Sequence, residues 1–405
     1  MTQRYDTYKD SGVQWLGEIP GHWGCVPLKR ICEMKSGNNL TSLDILDAGD
    51  FPVYGANGFR GYYNQFNKEG KYILIGRQGA LAGNVHLVDG KFWATDHAIV
   101  VTLTSNKVYV DYMSFALISM NLNQYAFDTA AQPGLAVSKI IPISAPLPPL
   151  SEQRSIVSYL DDKCGMIDEW VTKKQKEVEH LQELKQRVIA DAVTRGINPH
   201  VKMKETGVFW WKETPEHWQK IRLGFVLQKM NRQRLPNSEL LVCTNKGKVI
   251  KRGDTKIGLI ADSEEIYQGV AKGDLLIHGM DTWHGAIAVS NFNGMCTPVV
   301  HVCTSNENLY FVAYYMQVMA YSKVFKLISN GVRQNTSDFR SWSKVDKIPI
   351  MLPSIHEQEQ IVSYLDAKCA KIDKLIANIT KEIECIKEYK QRLISDVVTG
   401  QIKVC

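Results

Sequence analysis

The sequence predicts an α+β fold made by tandem duplication: two globular heads separated by a pair of long antiparallel coiled-coil helices in a pseudo-twofold arrangement. Three observations predict it. Residues 9–23, KDSGVQWLGEIPGHW, return at 204–218 as KETGVFWWKETPEHW, with Trp15/Trp210, Pro20/Pro215, His22/His217 and Trp23/Trp218 in register. Residues 152–168, EQRSIVSYLDDKCGMID, return at 357–373 as EQEQIVSYLDAKCAKID, and the match continues from Lys185-Gln186-Arg187 to Lys390-Gln391-Arg392. Each copy of this second motif opens a long run with heptad spacing of apolar residues. Ordered repeats of this kind mark duplicated structural units.

The length agrees, because 405 residues exceed what one hydrophobic core usually serves. The repeats place the first head at 1–150, the first helix at 151–197, the second head at 198–350 and the second helix at 351–405. Between the anchors the copies diverge. A weak match pairs ILIGRQGALAGNVHL (73–87) with LLIHGMDTWHGAIAV (275–289). Strand-like runs separated by Gly and Asn are KYILIG (71–76), HAIVVTL (97–103), DLLIHG (274–279) and TPVVHVC (297–303). Each head also carries one amphipathic helix, at about 110–127 and about 308–328.

The long helices have a testable period. Steps of four and three give Leu160, Cys164, Ile167, Val171, Lys174, Val178, Leu181, Lys185 and Val188, of which seven of nine are apolar. The second copy gives Leu365, Cys369, Ile372, Ile376, Ile379, Ile383, Ile386, Lys390 and Leu393, eight of nine. A narrow stripe flanked by dense charge is a coiled-coil seam. Ser151 is expected to cap the first helix, and Ser354 with Glu357 forms an S-x-x-E capping box for the second. Gly196 and Gly400 are the expected stops. The second head begins where helix one ends and finishes where helix two begins. Helices that pack along their seams must then run antiparallel, which predicts a dumbbell.

Composition excludes several classes. Apolar residues make up 44% and charged residues 22%, an ordinary globular mix. No apolar run approaches membrane-spanning length and MTQRYDTYKDSG has no signal-peptide core, so no membrane association and a cytoplasmic location are expected. The nine cysteines are scattered without a CxxC, which suits buried reduced thiols rather than disulfides or zinc. There is no P-loop, no dinucleotide-binding glycine motif, no H-E-x-x-H, no G-x-S-x-G and no adenine-methyltransferase N/D-P-P-Y/F. No catalytic residue and no metal site is expected, which leaves recognition and scaffolding.

Charge is uneven. The net +6 resolves into 12 basic and 12 acidic residues in 1–150, 8 and 9 in 151–197, 20 and 13 in 198–350, and 8 and 8 in 351–405. The excess therefore sits in the second head, where it suits a polyanion.

The tandem layout, the opening from Ser11 to Trp23, the P-L-P-P-L-x-E-Q stretch from Pro146 to Gln153 and the second E-Q-x-x-I-V-x-Y-L-D resemble the specificity subunit of type I restriction–modification enzymes. The resemblance covers essentially the whole chain. It implies that the heads are target recognition domains, each reading half of a bipartite, asymmetric sequence in double-stranded DNA. It implies that the helices set the spacing, that two methyltransferase subunits dock on the chain and that restriction subunits join them. S-adenosylmethionine and ATP would belong to those partners, and this chain would need no cofactor. The second copy departs from the family opening, since WWKETPEHW lacks the L-G-x-I-P stretch.

Base edges are read by Arg, Lys, Asn, Gln or acidic side chains, and more than half of all hydrogen bonds to DNA go to the backbone. In the first head the candidates are Asn57 and Arg60 in YGANGFRGYYN and Arg77 and Gln78 in IGRQGALAG, with Lys35, Asn38 and Asn39 behind them. In the second they are Arg232, Gln233 and Arg234, then Lys246, Lys248, Lys251 and Arg252, then Trp283 and His284, and finally Arg333, Gln334 and Asn335. Two other readings compete. A coiled-coil adaptor joining two protein partners explains the helices but not the duplicated heads. A nuclease would need its acids in a cleft, whereas the matched acids (Glu152/Glu357, Asp161/Asp366, Asp168/Asp373, Asp191/Asp396) fall on the helices.

Overall fold

The computed structural model describes residues 3–79, 81–129, 132–233, 238–253, 266–329 and 338–404. The candidates Arg234, Arg333, Gln334 and Asn335 lie outside them. Two compact units emerge, one of Met1–Gln175 with Lys381–Cys405 and the other of Lys176–Thr380. Each contains one head and a stretch of both long helices.

The first head has eight principal strands: β1 (Cys32–Ser36), β2 (Phe51–Gly55), β3 (Gly58–Tyr63), β4 (Lys68–Glu69), β5 (Tyr72–Gly76), β6 (Val85–Val88), β7 (Lys91–Ala94) and β8 (Ala98–Leu103). Helix α1 (Val110–Ser119) follows, and then the long α2 (Leu150–Arg195). The second head repeats the set as β9 (Gln228–Met230), β10 (Leu241–Thr244), β11 (Lys248–Lys251), β12 (Gln268–Val270), β13 (Leu275–His278), β14 (Ile287–Val289), β15 (Gly294–Cys296) and β16 (Val300–Thr304). Helix α3 (Leu309–Tyr321) and the long α4 (Ile355–Val398) complete it.

The strand orders coincide. One antiparallel sheet runs β1-β8-β5-β6 and its counterpart β9-β16-β13-β14. Beside it lies a smaller sheet in the order β3-β2-β7-β4, where β2 and β7 pair in parallel through Val53 and Trp93. The second head reproduces this with the β10–β11 hairpin, a parallel bridge from Leu240 to Met295, and β12 against β15. Alternation along the central strands explains why two layers form. Ile73 and Ile75 face α1 and the long helices, while Leu74 faces the smaller sheet with Phe92 and Val100. Leu275 and Ile277 against Leu276 divide in the same way. A period of two with apolar residues on both faces is what a strand buried on both sides requires.

The helices of the heads are shorter than the sequence suggests. Each is broken by a left-handed residue, Asn121 (φ 49°) after α1 and Lys323 (φ 59°) after α3. A 3-10 turn (Leu122–Tyr125) follows the first break and a short helix (Val324–Ile328) the second.

The long helices hold 46 and 44 residues, about 69 and 66 Å at 1.5 Å per residue. Every expected seam position is buried or half-buried. Leu160, Val171, Leu365, Ile372, Ile379, Ile383 and Leu393 are buried, while Ile167, Val178, Leu181, Val188, Ile376 and Ile386 are half-buried. Two of the three lysines on the stripe explain themselves. Lys390 Nζ meets Asp168 at 2.7 Å in the first unit, and Lys185 Nζ meets Asp373 at 2.7 Å in the second. These ion pairs are copies of one another. In the first unit Ile156 and Leu160 share a core with Leu393 and Val397; Asp168 meets Lys390 while Trp23, bonded to Glu152, packs beside Gly400, so the stretches run antiparallel there. In the second, Ile189 and Val193 share one with Ile361 and Leu365.

The cap expectations hold in part. Helix α2 begins at Leu150, so Ser151 already lies inside the first turn and is not the cap. Pro149 disfavours a helical conformation at Pro148, so the helix begins only after this pair. At α4 the Ser354 hydroxyl accepts from Glu357 N at 3.4 Å, but the Glu357 carboxylate turns away to the head instead of closing the box. Gly196 and Gly400 end the helices in left-handed conformations (φ 75° and 76°), as expected.

Leu160 is fully buried between helix and head. Leu160→Ala is expected to cost about 2–5 kcal/mol. Denaturant unfolding followed in the first unit measures this, and a loss below about 1 kcal/mol would show that the seam there is loosely packed.

Candidate nucleic-acid interface

Both heads are fastened to their long helix by the same clamp. Glu152, in the first turn of α2, accepts from Trp23 Nε1 at 2.9 Å and from Tyr5 Oη at 3.1 Å, and meets His22 Nε2 at 2.6 Å. Burial pushes its carboxyl up, but the hydrogen bonds from Trp23 and His22 outweigh burial and hold it below its ordinary value. In the second unit Glu357 accepts from Trp218 Nε1 at 3.1 Å and meets His217 Nε2 at 2.8 Å. The second opening stretch therefore keeps the clamp although it lacks L-G-x-I-P. The adjoining glutamines are fully buried. Gln153 bonds Tyr109 N (2.8 Å), Lys107 O (2.9 Å) and Pro148 O (2.9 Å). Gln358 bonds Asn308 N (2.9 Å) and Pro353 O (2.9 Å). The repeated E-Q pair is thus the joint between head and helix.

Four of the six other matched acids also have partners. Asp168 and Asp373 make the cross-helix ion pairs, Asp366 accepts from Tyr314 Oη at 2.8 Å, and Asp396 lies 3.6 Å from Arg392. Among the described residues no His, Cys, Asp or Glu group is arranged to hold a metal ion. No described helix is long and apolar enough to cross a membrane. Among the described residues eight cysteines are free, and burial pushes the Cys32, Cys243, Cys296 and Cys303 thiols up to about 12. Burial likewise lowers His86, His278 and His301, keeping them neutral in the heads.

Joined in this way, each head presents a hairpin tip beside the loop that leaves its central strand. In the first head the tip is Gly55–Gly58 between β2 and β3, and it touches the end of β5. A Cβ on Gly76 would fall 2.3 Å from Ala56 O. Asn57 and Arg60 are exposed there. The Arg60 stem crosses Gly55, where any side chain would collide with it. Arg77 and Gln78 lie alongside, half-buried. Arg77 Nη1 donates to Asp96 O at 3.3 Å, and the Gln78 backbone bridges to Gly134. Lys35 is exposed on β1 and pairs with Glu33 at 2.9 Å. Asn38 stitches strands together, donating from its N–H to Ala94 O at 2.9 Å and accepting from Asn67 Nδ2 at 3.1 Å. Asn39 is exposed.

In the second head the equivalent tip is Thr244–Lys248 between β10 and β11. Lys246 and Lys248 are exposed on it without an acidic partner among the described residues. Gly285 lies within van der Waals contact of Asn245 O, where a Cβ would fall 3.8 Å from it. Trp283 is half-buried against the core and His284 is exposed, its Nδ1 3.9 Å from Asp281. Several other candidates are occupied. Arg232 grips the buried Asp274 through its two terminal guanidinium nitrogens, with Nη2 at 3.2 Å from Oδ1. Gln233 is bridged to Gln268. Lys251 pairs with Glu239 at 2.5 Å and lies over the Phe292 ring, and Arg252 N donates to Leu240 O at 2.9 Å. The structure therefore gathers Asn57, Arg60, Arg77 and Gln78 in one head and Lys246, Lys248, Trp283 and His284 in the other. Sequence reasoning passed over Asn121, Lys323 and Gln186 beside these tips. The 202-residue register, extended past residue 87, pairs Asn121 with Lys323.

Comparisons with known proteins agree with this geometry. A family model described as the type I restriction modification DNA specificity domain matches residues 20–180 and again 215–385. The Escherichia coli EcoprrI specificity subunit is 39% identical over 164 residues, which are 39% of this chain and 40% of that protein. The chain thus matches well under two thirds of that relative. A putative MjaX specificity subunit from Methanocaldococcus jannaschii is 25% identical over 96% of both chains. A solved chain, from a structure described as the basis of complex assembly and conformational transition of the type I R-M system, superposes with a TM-score of 0.65. It is 16% identical and covers 94% of this chain and 98% of its own, so the likeness is one of fold. With the family model matching both halves, this chain belongs to the type I restriction modification DNA specificity domain family and carries that domain twice.

Proposed function

We propose that the chain is the non-catalytic DNA sequence-specificity subunit of a type I restriction–modification complex, each head reading one half of a bipartite, asymmetric target. One observation carries this reading. The two heads share a strand order and a clamp, yet at equivalent positions of tip and loop they present different hydrogen-bonding side chains. At the tip Ala56-Asn57 stands against Asn245-Lys246, and in the loop Arg77-Gln78 stands against Gly279-Met280 and Leu81-Ala82 against Trp283-His284. Identical scaffolds with different reading edges suit two different half-sites. A coiled-coil adaptor that never touches DNA leaves this difference without a task.

Two methyltransferase subunits on the helices, with restriction subunits added, complete the assembly. S-adenosylmethionine and ATP belong to those partners. Double-stranded DNA lies against the heads in the cytoplasm. The test is to co-express the chain with its neighbouring methyltransferase and sequence adenine methylation in the host. A split motif with unlike halves is expected, and the absence of any motif dependent on this chain would overturn the reading.

The helices pass from one unit into the other, so their length is the natural spacer. Inserting one heptad into each, after Gln175 and after Thr380, keeps the seam in phase. It adds about 10 Å, or about three base pairs. The methylated motif is expected to gain that many unspecified pairs with both halves unchanged. An unchanged spacer would show that the helices are not the ruler.

A further inference from the structure

In each unit the head meets the helices across a polar cleft, and the two clefts are copies of one another. In the first unit Asn84, Asn121, Asp168, Lys387, Lys390 and Gln391 line a space of about 470 Å³. In the second, Gln186, Lys246, Trp283, His284 and Lys323 line one of about 380 Å³. Gln391 and Gln186 are the middle residues of the two Lys-Gln-Arg matches. Asn121 and Lys323 are the left-handed breaks after α1 and α3. Gln391 Nε2 donates to Ile118 O at 3.2 Å, so the helix touches the last turn of α1 directly.

The free charge in both clefts is positive. In the first, Asp168 is neutralised by Lys390, which leaves Lys387 exposed with no acidic partner among the described residues. In the second, Lys246 and Lys323 are exposed and likewise unpaired among the described residues, and no carboxylate lines the space. Both clefts also border the recognition hairpins. Asn245 and Lys246 of one tip form the rim of the second, and His86, which Gly58 of the other tip covers, forms part of the first.

We propose that each cleft binds a phosphodiester of the DNA backbone next to its half-site. In the first unit the cation comes from helix α4, through Lys387. In the second it comes from the head, through Lys246 and Lys323. This rests on the DNA-specificity reading and deepens it. It also accounts for the first head having 12 basic and 12 acidic residues: its phosphate contact is supplied by the helix of the other copy. Such contacts position the duplex without reading it.

The test uses the complex with its methyltransferase subunits, a duplex carrying the methylated motif and a scrambled duplex, over a range of KCl concentrations. Each lost phosphate contact removes about 0.9 from the slope of log K against log salt. Lys387→Ala is therefore expected to weaken binding about eightfold at 0.1 M on both duplexes, with the deficit shrinking as salt rises. The double variant Lys246→Ala/Lys323→Ala, which strips both cations from the second cleft's phosphodiester, is likewise expected to lower the slope by about 0.9. Lys387→Arg should bind like the parent, and so should Lys371→Ala, which lies outside both clefts. Unchanged slopes in the cleft variants, or a loss confined to the motif duplex, would overturn the proposal. If the parent complex does not prefer the motif duplex, the DNA-specificity reading itself is overturned.

Discussion

Replacing residues 198–350 with the corresponding head of a related chain is expected to change one half of the methylated motif completely and leave the other half as it was. The junctions make this exchange feasible. Helix α2 ends at Arg195 and α4 starts at Ile355, so both cuts spare the seam; the second falls within the strand Pro349–Leu352, whose Met351 and Leu352 the incoming head must pair as Lys220 and Gln219 do. The head contains its own cores, one against the helices around Phe311, Met316 and Ile350, and one between its sheets around Leu276 and Val302. The incoming head must bring the clamp residues equivalent to His217 and Trp218, which meet Glu357 from outside the exchanged segment. It must also supply the backbone donor that Gln358 takes from Asn308. A mismatched pair in a protein–DNA site costs about 1–3 kcal/mol, so a few changed positions suffice to silence the old half-site. Sequencing of adenine methylation in a host expressing the chimera with the methyltransferase reads both halves at once. Alteration of both halves, or of neither, would show that the heads do not read independently.

What the sequence makes legible is what structure holds constant between the copies. Trp23 and Trp218, Glu152 and Glu357, and Asp168 with Lys390 against Asp373 with Lys185 recur because each pair performs one mechanical task twice. The helices are legible because their stripe is strict. The strand-by-strand equivalence of the heads is not, although it is complete over eight strands. A buried strand asks only for apolar residues, and YILIG and LLIH satisfy that without resembling each other. The hairpin tips show the limit most clearly, since GANG at 55–58 and TNKG at 244–247 share only their last glycine. Side-chain commitments are equally hidden. Arg232 looked free until the fold brought up Asp274, 42 residues away. Lys387 looked like ordinary helix surface until α1 ended beside it. Ser151 failed as a cap because two prolines had already set the chain's direction.

The clamp is the feature whose loss should cost most in stability, and it should do so one unit at a time. Trp23 is about 1% exposed and sits between the start of α2 and the end of α4, where a Cβ on Gly400 would fall 3.2 Å from its ring. Trp23→Ala removes that packing and leaves Glu152 without its indole donor, a loss of about 3–5 kcal/mol. Trp23→Phe keeps most of the volume and deletes the hydrogen bond, which places it between parent and alanine variant. Acid should mimic the loss. The Glu152 carboxyl titrates lower in the folded chain than in the unfolded one, so its contribution is complete above the unfolded carboxylate range and disappears as pH falls through the folded value. Hydrogen exchange localises the effect. With Trp23→Ala, amides of β8 (Ala98–Leu103) should lose protection while those of β16 (Val300–Thr304) keep it, and Trp218→Ala should give the converse. Glu152→Gln should flatten the acid limb in the first unit, because a neutral amide has no proton to gain there. Equal loss of protection in both strands from either tryptophan variant would mean that the heads unfold as one body, and the clamp would then be a property of the whole chain and not of each half.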